Sequence, residues 1–458
     1  MMGRIGQWFD ERLGIFELSR AFLDRKVPGN INWFHTLGSA TLILIGVQFL
    51  TGIALSMSYV PSPDHAYESV LYIDQTPFGG ITRAIHRASA GLLVLLVGLH
   101  ALRVFIWGAH KYPRELSWIV GALLMFVIMG FAFTGYLLPW DQKAYWATVV
   151  GTNIAGSAPF IGGSVLEFLR GGEALGAVGL TRFYGIHVWV LPATLMALVG
   201  LHLFMVVRQG IAATPRRKSL VEARDGESRR EEYEREYAAE KQAGKPFWSA
   251  LLKDAVVALV VVVVVIIGAA ILGAPLEEPA DPNATAYVPR PEWYFLDLYQ
   301  LLWYISGPLE PLLIFVIFTA GALLFVIVPL IDRGRARHPR QRPAAMAGVV
   351  AVIGGVVIFT YMGAIAGPSV PVIPPTEGMT VTDLSGLAVF NDQGCAACHT
   401  VRGLGGTSGP DMSRAGARWS ASHIREAIVM PEDDEMPSFD KLSERQLDDL
   451  VSYLKSLE

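Results

Sequence analysis

Only two cysteines, Cys395 and Cys398, occur among the 458 residues. No disulfide framework can exist, and no thiolate-bound iron–sulfur cluster or structural zinc site can be built elsewhere in the chain. Charge is scarce as well: Asp, Glu, Lys and Arg make up 17% of the sequence, against 52% hydrophobic residues, which is too apolar for a soluble enzyme of this length. The formal net charge of −4 supplies no basic excess of the kind nucleic acid requires. Nor is a cleavable leader expected, because residues 1–35 are charged and polar and the first apolar stretch is already of full membrane length. Metals held away from the cysteine pair must be held by other side chains.

Long apolar runs are what the chain has in abundance. Seven stretches, at 36–57, 86–107, 118–138, 183–207, 255–273, 311–331 and 345–366, can each cross a hydrocarbon core of about 30 Å. The fifth contains valine at every position from Val260 to Val265; lipid forces internal backbone hydrogen bonding, so helix is the reading despite the poor propensity of valine in water. The fold class is therefore all-α, a polytopic transmembrane bundle. Basic residues collect in the N-terminal tail (Arg4, Arg12, Arg20, Arg25, Lys26), after the second span (Lys111, Arg114) and after the sixth (Arg333, Arg335, Arg337, Arg340, Arg342). The positive-inside rule makes those segments cytoplasmic and, with seven spans, sends the C-terminus outside.

Four of the ten histidines lie inside apolar runs, in two pairs. His86 and His100 are fourteen residues apart, His187 and His202 fifteen. At about 3.6 residues per turn these intervals are roughly four turns, or about 21 Å, so each pair marks one helix face at two depths. Two such helices can clamp two stacked haems, each iron receiving one imidazole from each helix and keeping no open position, which suits electron transfer. Gly38 and Gly52 on the first span, and Gly121 and Gly135 on the third, repeat the fourteen-residue period. Each alone reads as a helix–helix contact. Together they read as gaps for a flat macrocycle, Gly52 and Gly135 with the outer histidines His86 and His187, Gly38 and Gly121 with the inner His100 and His202. Arg83 and Arg87 near the outer edge, and Arg103 and Arg114 near the inner, are either partners of haem propionates or interfacial anchors.

The polar tail after the proline-rich stretch 368–375 contains Cys395-Ala-Ala-Cys398-His399. A C-x-x-C-H string attaches a haem through two thioethers and supplies the proximal histidine; a redox dithiol is the alternative. Gly409-Pro410-Asp411 and Met436-Pro437 follow, the latter offering Met436 as sixth ligand, with Met430 and Met412 as other choices. From Thr376 to Glu458 there are fourteen acidic and seven basic residues, an excess that suits either solubility or docking on a basic partner. This tail is read as a small all-α c-type haem domain.

Several longer motifs carry a resemblance. Arg83-Ala-Ile-His-Arg87, Tyr112-Pro-Arg-Glu-Leu-Ser-Trp118, Gly135-Tyr-Leu-Leu-Pro-Trp-Asp-Gln142 and Thr181-Arg-Phe-Tyr184 resemble cytochrome b of the quinol-oxidising bc and bf complexes, and the fifteen-residue interval resembles the chloroplast-type and Gram-positive branch. Residues 246–366, with Glu278-Pro-Ala-Asp-Pro282 and Pro291-Glu-Trp-Tyr294, resemble that branch's subunit IV, and the tail resembles a monohaem cytochrome c. The implied layout is a di-haem domain over 1–215, a charged cytoplasmic connector over 216–245, a three-helix domain over 246–367, a linker over 368–379 and an extracytoplasmic haem c domain over 380–458. In the branch a cysteine two residues before the first-span glycine tethers a further haem; here that position is Thr36, and covalent attachment is impossible.

The resemblance implies a bacterial inner-membrane quinol:cytochrome c oxidoreductase with two non-covalent b haems and one covalent c haem. Glu292, beside Trp293 and Tyr294, would accept a quinol proton at the outer face, its carboxyl pushed up by partial desolvation; a carboxylate capping the following helix is the structural alternative. The implied partners are the quinol pool, a cytochrome c or oxidase acceptor, a second copy of the complex, and a separate Rieske subunit, since a Rieske centre needs two cysteines and both are committed to haem c. A di-haem anchor relaying electrons for another enzyme is the rival reading, although it has no use for the Pro-Glu-Trp-Tyr loop. Of the remaining histidines, His65, His110, His338 and His423 read mostly as surface residues. His35 reads as a residue near the inner haem, able to donate to a quinone or to serve at the membrane interface.

Overall fold

The computed structural model describes residues 4–457 except 173, 223, 283, 285, 286, 288, 289, 306–309, 367–371, 377, 407, 408 and 432–435. Part of the expected linker thus lies outside the described residues. Seven helices have membrane-crossing length and composition: Trp33–Ser56, Gly79–Ile106, Glu115–Tyr136, Ala177–Gln209, Trp248–Leu272, Leu312–Ile331 and Pro343–Ile365. The only sheet among the described residues is the two-residue antiparallel pairing of Lys26–Val27 with Lys245–Pro246. The chain divides into two compact units. One comprises Met1–Trp140, Thr148–Leu276 and Leu301–Ile358; the other comprises Asp141–Ala147, Glu277–Gln300 and Phe359–Glu458.

In the first unit the core is an apolar layer contributed by five spans: Leu44 and Ile45, Leu93 and Val97, Val120, Leu124 and Ile128, Leu195 and Met205, and Val261 and Val265. The valine run shows how a lipid-facing helix divides its surface. Val261 and Val265, one helical turn apart, are buried, while Val260, Val263 and Val264 are exposed as lipid-facing residues should be. Gln48 stitches the first two spans by donating to the His86 carbonyl at 2.7 Å and to Ser89 Oγ at 2.8 Å.

The fourth span is not a uniform α-helix. Ile186–Val190 forms a π-helical turn that includes His187, between α-helical segments Ala177–Gly185 and Leu191–Gln209. Pro192 follows, and its ring has no N–H for the carbonyl of the residue four before it. A π turn takes in one residue more than an α turn. The fifteen-residue interval from His187 to His202 therefore keeps the face alignment that a regular helix gives His86 and His100 over fourteen.

At the end of the unit that holds the basic loops, polar groups join the segment after the second span to the segment after the sixth. Lys111 Nζ lies 2.7 Å from Asp332 Oδ1, and His110 Nε2 lies 3.2 Å from Asp332 Oδ2, which Arg342 also contacts. Arg342 donates to the Phe105 carbonyl at 2.7 Å, and Arg337 to those of Gly108 at 3.2 Å and Tyr112 at 2.6 Å. Gly108 has φ +57°, and a Cβ there would lie 3.0 Å from the Arg337 backbone, so only glycine lets the two segments meet. The surface role expected for His110 is not what is found: its side chain is fully buried, and burial, reinforced by Arg342 and Lys111 against the opposing pull of Asp332, pushes its imidazole down to about 4.

In the second unit, Asp141 accepts hydrogen bonds from the amides of Ala144 at 2.8 Å and Glu277 at 3.2 Å, and the amide of Gln142 donates to the Glu278 carbonyl at 2.9 Å. The tail folds around helices Val381–Asp392 and Glu444–Ser456, each opened by a capping box, Thr380 with Asp383 and Ser443 with Gln446. Gly386 lets the two helices cross closely, since a Cβ there would fall 1.9 Å from the Asp449 carbonyl oxygen. Phe390, Leu450, Tyr453 and Leu454 fill the core between them.

Candidate functional site

The four span histidines meet in two layers. His86 is within electrostatic range of His187, and His100 of His202. Each ring stands over a glycine of a neighbouring helix. A Cβ built on Gly52 would lie 3.3 Å from His86 Cε1, on Gly38 3.2 Å from His100 Cε1, on Gly121 3.4 Å from His202 Cε1, and on Gly135 2.5 Å from His187 Cε1. The glycines thus stand with the histidines at matching depth, the cradle that a bis-imidazole haem requires.

The hydrogen bonds fix the ring state in one layer. Thr51 Oγ1 lies 2.8 Å from His86 Nδ1 and also donates to the Val47 carbonyl at 2.7 Å; Thr134 Oγ1 lies 3.0 Å from His187 Nδ1 and donates to the Gly130 carbonyl at 2.8 Å. Because each hydroxyl proton is engaged by a helix carbonyl, the ring nitrogen must be the donor. Nε2 of His86 and of His187 then carries a lone pair, the form that binds iron. In the other layer Nδ1 of His100 and of His202 is buried without a hydrogen-bond partner. The Ser117 carbonyl faces the His202 ring without completing hydrogen-bond geometry.

The tail presents the same chemistry in one copy. His399 is buried, and its Nδ1 donates to the Pro410 carbonyl at 2.9 Å; a carbonyl can only accept, so Nε2 is again free for a metal. Gly409 lies against the ring, where a Cβ would sit 2.7 Å from Cε1, which gives the Gly-Pro-Asp turn its purpose. Cys395 and Cys398 are unbridged, and burial pushes the Cys395 thiol up to about 12. Met436 is half-buried, Met412 packs on the core of the tail, and Met430 is exposed.

The four arginines weighed for propionates all hold protein groups. Arg83 pairs with Asp74, Nε to Oδ1 at 2.6 Å, and reaches the Ala274 carbonyl; Arg87 donates to the Gly273 carbonyl at 3.3 Å. Arg103 donates to the Phe34 carbonyl at 3.2 Å. Arg114 is buried and caps the fourth span by donating to the Gln209 and Gly210 carbonyls, each at 3.2 Å, with the stacked rings of Tyr233 and Tyr237 beside it. His35 is engaged on both nitrogens, Nδ1 with the Asn32 amide at 3.1 Å and Nε2 with the Ala212 carbonyl at 3.0 Å, which gives it a structural task. Thr36 Oγ1 donates to the Trp33 carbonyl at 2.6 Å.

Glu292 opens the short turn Trp293–Phe295 without capping it through its side chain. Its Oε1 instead lies 3.2 Å from Lys143 Nζ, with about a fifth of the carboxylate side chain and a quarter of the lysine exposed. Tyr294 packs edge-on against Trp293 and Phe295. The environment inferred from sequence, a carboxyl desolvated by aromatics, therefore also contains an ammonium group. Lys143, Thr51 and Thr134 are the site residues that sequence reasoning missed; the only signal was a Thr-Gly dipeptide at 51–52 and 134–135, and a cation directly after Trp140-Asp141-Gln142.

Comparison with known proteins finds three families along the chain. The family described as Cytochrome b/b6/petB matches residues 22–210, Cytochrome b(C-terminal)/b6/petD matches 279–375, and Cytochrome c matches 385–458. A menaquinol:cytochrome c reductase cytochrome b subunit from Bacillus subtilis (strain 168) is 45% identical over 221 residues, covering 46% of this chain and 99% of the relative. Cytochrome b6 of Gloeobacter violaceus is 42% identical over 212 residues, again 46% of this chain and 99% of the relative. A solved structure titled "Hyperthermophilic respiratory Complex III" aligns with a TM-score of 0.66 at 30% identity, covering 81% of this chain and 92% of that one.

Proposed function

As the chain belongs to the cytochrome b/b6 family of quinol:cytochrome c oxidoreductases, with subunit IV-like and cytochrome c regions fused to it, we propose that it oxidises membrane quinol at the outer face of a bacterial inner membrane. The observation that carries the reading is the pair of histidine layers, each ring backed by a glycine, with Nε2 unprotonated at His86 and His187. His86 with His187 and His100 with His202 would hold the two b haems, and Cys395, Cys398, His399 and Met436 the c haem. When bound, these groups supply one-electron relays across the membrane and outward.

The protein's own part is proton handling and orientation. Quinol gives up two protons and two electrons; Glu292 accepts one of the protons from a quinol hydroxyl and releases it outward. Tyr294, packed on Trp293 and Phe295, belongs to the same turn. Thr51 and Thr134 hold their histidines in the tautomer that leaves Nε2 available. A separate Rieske subunit takes the other electron, because both cysteines of this chain lie in one C-x-x-C-H string. A homodimeric complex, a cytochrome c or oxidase acceptor and a cytoplasmic N-terminus complete the reading.

Glu292→Gln tests it. The amide keeps shape and hydrogen bonding but cannot accept a proton, so quinol-dependent cytochrome c reduction should fall about a hundredfold or more. Reduction of both b haems by dithionite should be unaffected, and wild-type vesicles of known orientation should release protons on the side away from the arginine-rich loops. Wild-type turnover in the variant would remove Glu292 from the mechanism.

A further inference from the structure

The Pro-Glu-Trp-Tyr loop and the stretch that follows the third span are joined by one ion pair, Lys143 Nζ to Glu292 Oε1 at 3.2 Å, between residues 149 apart in sequence. The backbone around Lys143 is pinned independently. Asp141 accepts from Ala144 and Glu277, and Gln142 donates to the Glu278 carbonyl, so the lysine projects from a segment already fastened to the loop that bears the glutamate. Both side chains are about three-quarters buried or more, where a charge pair is screened less than at an open surface.

We propose that Lys143 is a positioning residue for quinol oxidation: it holds the Glu292 carboxylate in place to receive a proton and lets go once that proton has arrived. This rests on the assignment of Glu292 as proton acceptor. In the step concerned, one quinol O–H bond breaks and a carboxyl O–H bond forms on Glu292, while the other proton and one electron leave to the Rieske subunit and the second electron to the haem relay. The carboxylate thereby becomes neutral, and its attraction to the ammonium falls to that of an ordinary hydrogen bond. A neutral Glu292 is held less strongly by its ammonium partner as it delivers the proton outward. The ammonium thus couples release of the side chain to its protonation, which a neutral partner at the same distance cannot do.

The experiment compares Lys143→Met and Lys143→Arg in the assembled complex, using duroquinol as donor and following turnover against pH. A nearby cation favours the ionised carboxylate, so the wild type keeps a working base to lower pH. In Lys143→Met the acid limb of the profile should move up by about one pH unit, and kcat at the optimum should fall roughly tenfold with KM little changed. Lys143→Arg should restore the limb. Combined with Glu292→Gln, the methionine substitution should add no further displacement. Assembly is checked from the dithionite-reduced spectrum, and if Lys143→Met does not assemble, Lys143→Gln is read in its place. An acid limb unmoved by loss of the lysine, in a protein where Glu292→Gln still cripples turnover, overturns the role of Lys143 alone. Normal turnover in Glu292→Gln overturns the assignment beneath it.

Discussion

The two histidine layers differ by a hydroxyl behind each ring. Both have one imidazole from the second span, one from the fourth, and a glycine facing each. Yet His86 and His187 donate through Nδ1 to Thr51 and Thr134, whereas Nδ1 of His100 and of His202 has no hydrogen-bond partner. An imidazole that donates through its far nitrogen is a more basic ligand at the near one, and a more basic ligand favours oxidised iron. With haem bound in both, one layer would be biased to give up an electron and the other to keep it. Identical ligand sets would be made unequal by residues that are not ligands, and in the proposed orientation the inequality would run from the quinol side inward.

The comparison breaks most severely where a layer has least room. A Cβ at Gly135 would stand 2.5 Å from His187 Cε1, against 3.4 Å for Gly121 and His202. Gly135→Ala should therefore cost the complex one b haem, halving the b-type signal in a dithionite-minus-ferricyanide spectrum, while Gly121→Ala keeps both. Full haem content in Gly135→Ala would mean that the ring has space the structure does not show.

A redox titration sharpens the contrast between the layers more gently. Thr134→Val removes the hydroxyl partner of His187 and should raise the midpoint of one b component, by about 59 mV for each tenfold loss of preference for the oxidised form, leaving the other in place. Val120→Thr puts a hydroxyl immediately before Gly121, as Thr134 stands before Gly135, and should lower the second component. A backbone carbonyl already faces each ring, that of Phe131 at His187 and that of Ser117 at His202, so both changes should be modest. Shifts of both components together in either variant would show a general effect on the fold and none specific to a layer.

How much of this could be read in advance depends on whether the determinant is periodic. The seven spans were legible because lipid demands length and apolarity, and the helices found differ from the expected stretches mainly at their ends. The histidine and glycine positions were legible because a four-turn repeat survives in sequence. The π turn at Ile186–Val190 left only a trace, one extra residue in an interval. The threonine partners were hidden because hydroxyls in membrane helices commonly bond their own helix carbonyl, which Thr51 and Thr134 also do. The pairing of Lys143 with Glu292 joins distant segments and follows no period. His110 was misjudged for a related reason: polar neighbours signal a loop, but not whether another loop covers it.

The clasp around Asp332 has a consequence for how the polypeptide is divided. His110 and Lys111 lie in the part matched over its whole length by the short cytochrome b relatives, and Asp332, Arg337 and Arg342 lie beyond it. Recognition between the two halves is thus written into their own surfaces, with buried charges and carbonyls that have few other partners to choose. The peptide link over 216–245 contributes effective concentration and contacts of its own, Tyr233 with Arg114 and Arg337 and Glu232 with Arg335. A chain cut within that connector and supplied as two co-expressed pieces should accordingly reassemble with its haem spectrum intact, its yield governed by the amounts of the pieces; failure to reassemble at matched high expression would place the recognition in the tether itself. On this view, fusion in this protein sets stoichiometry at one half to one half, and leaves the choice of partner to a handful of side chains.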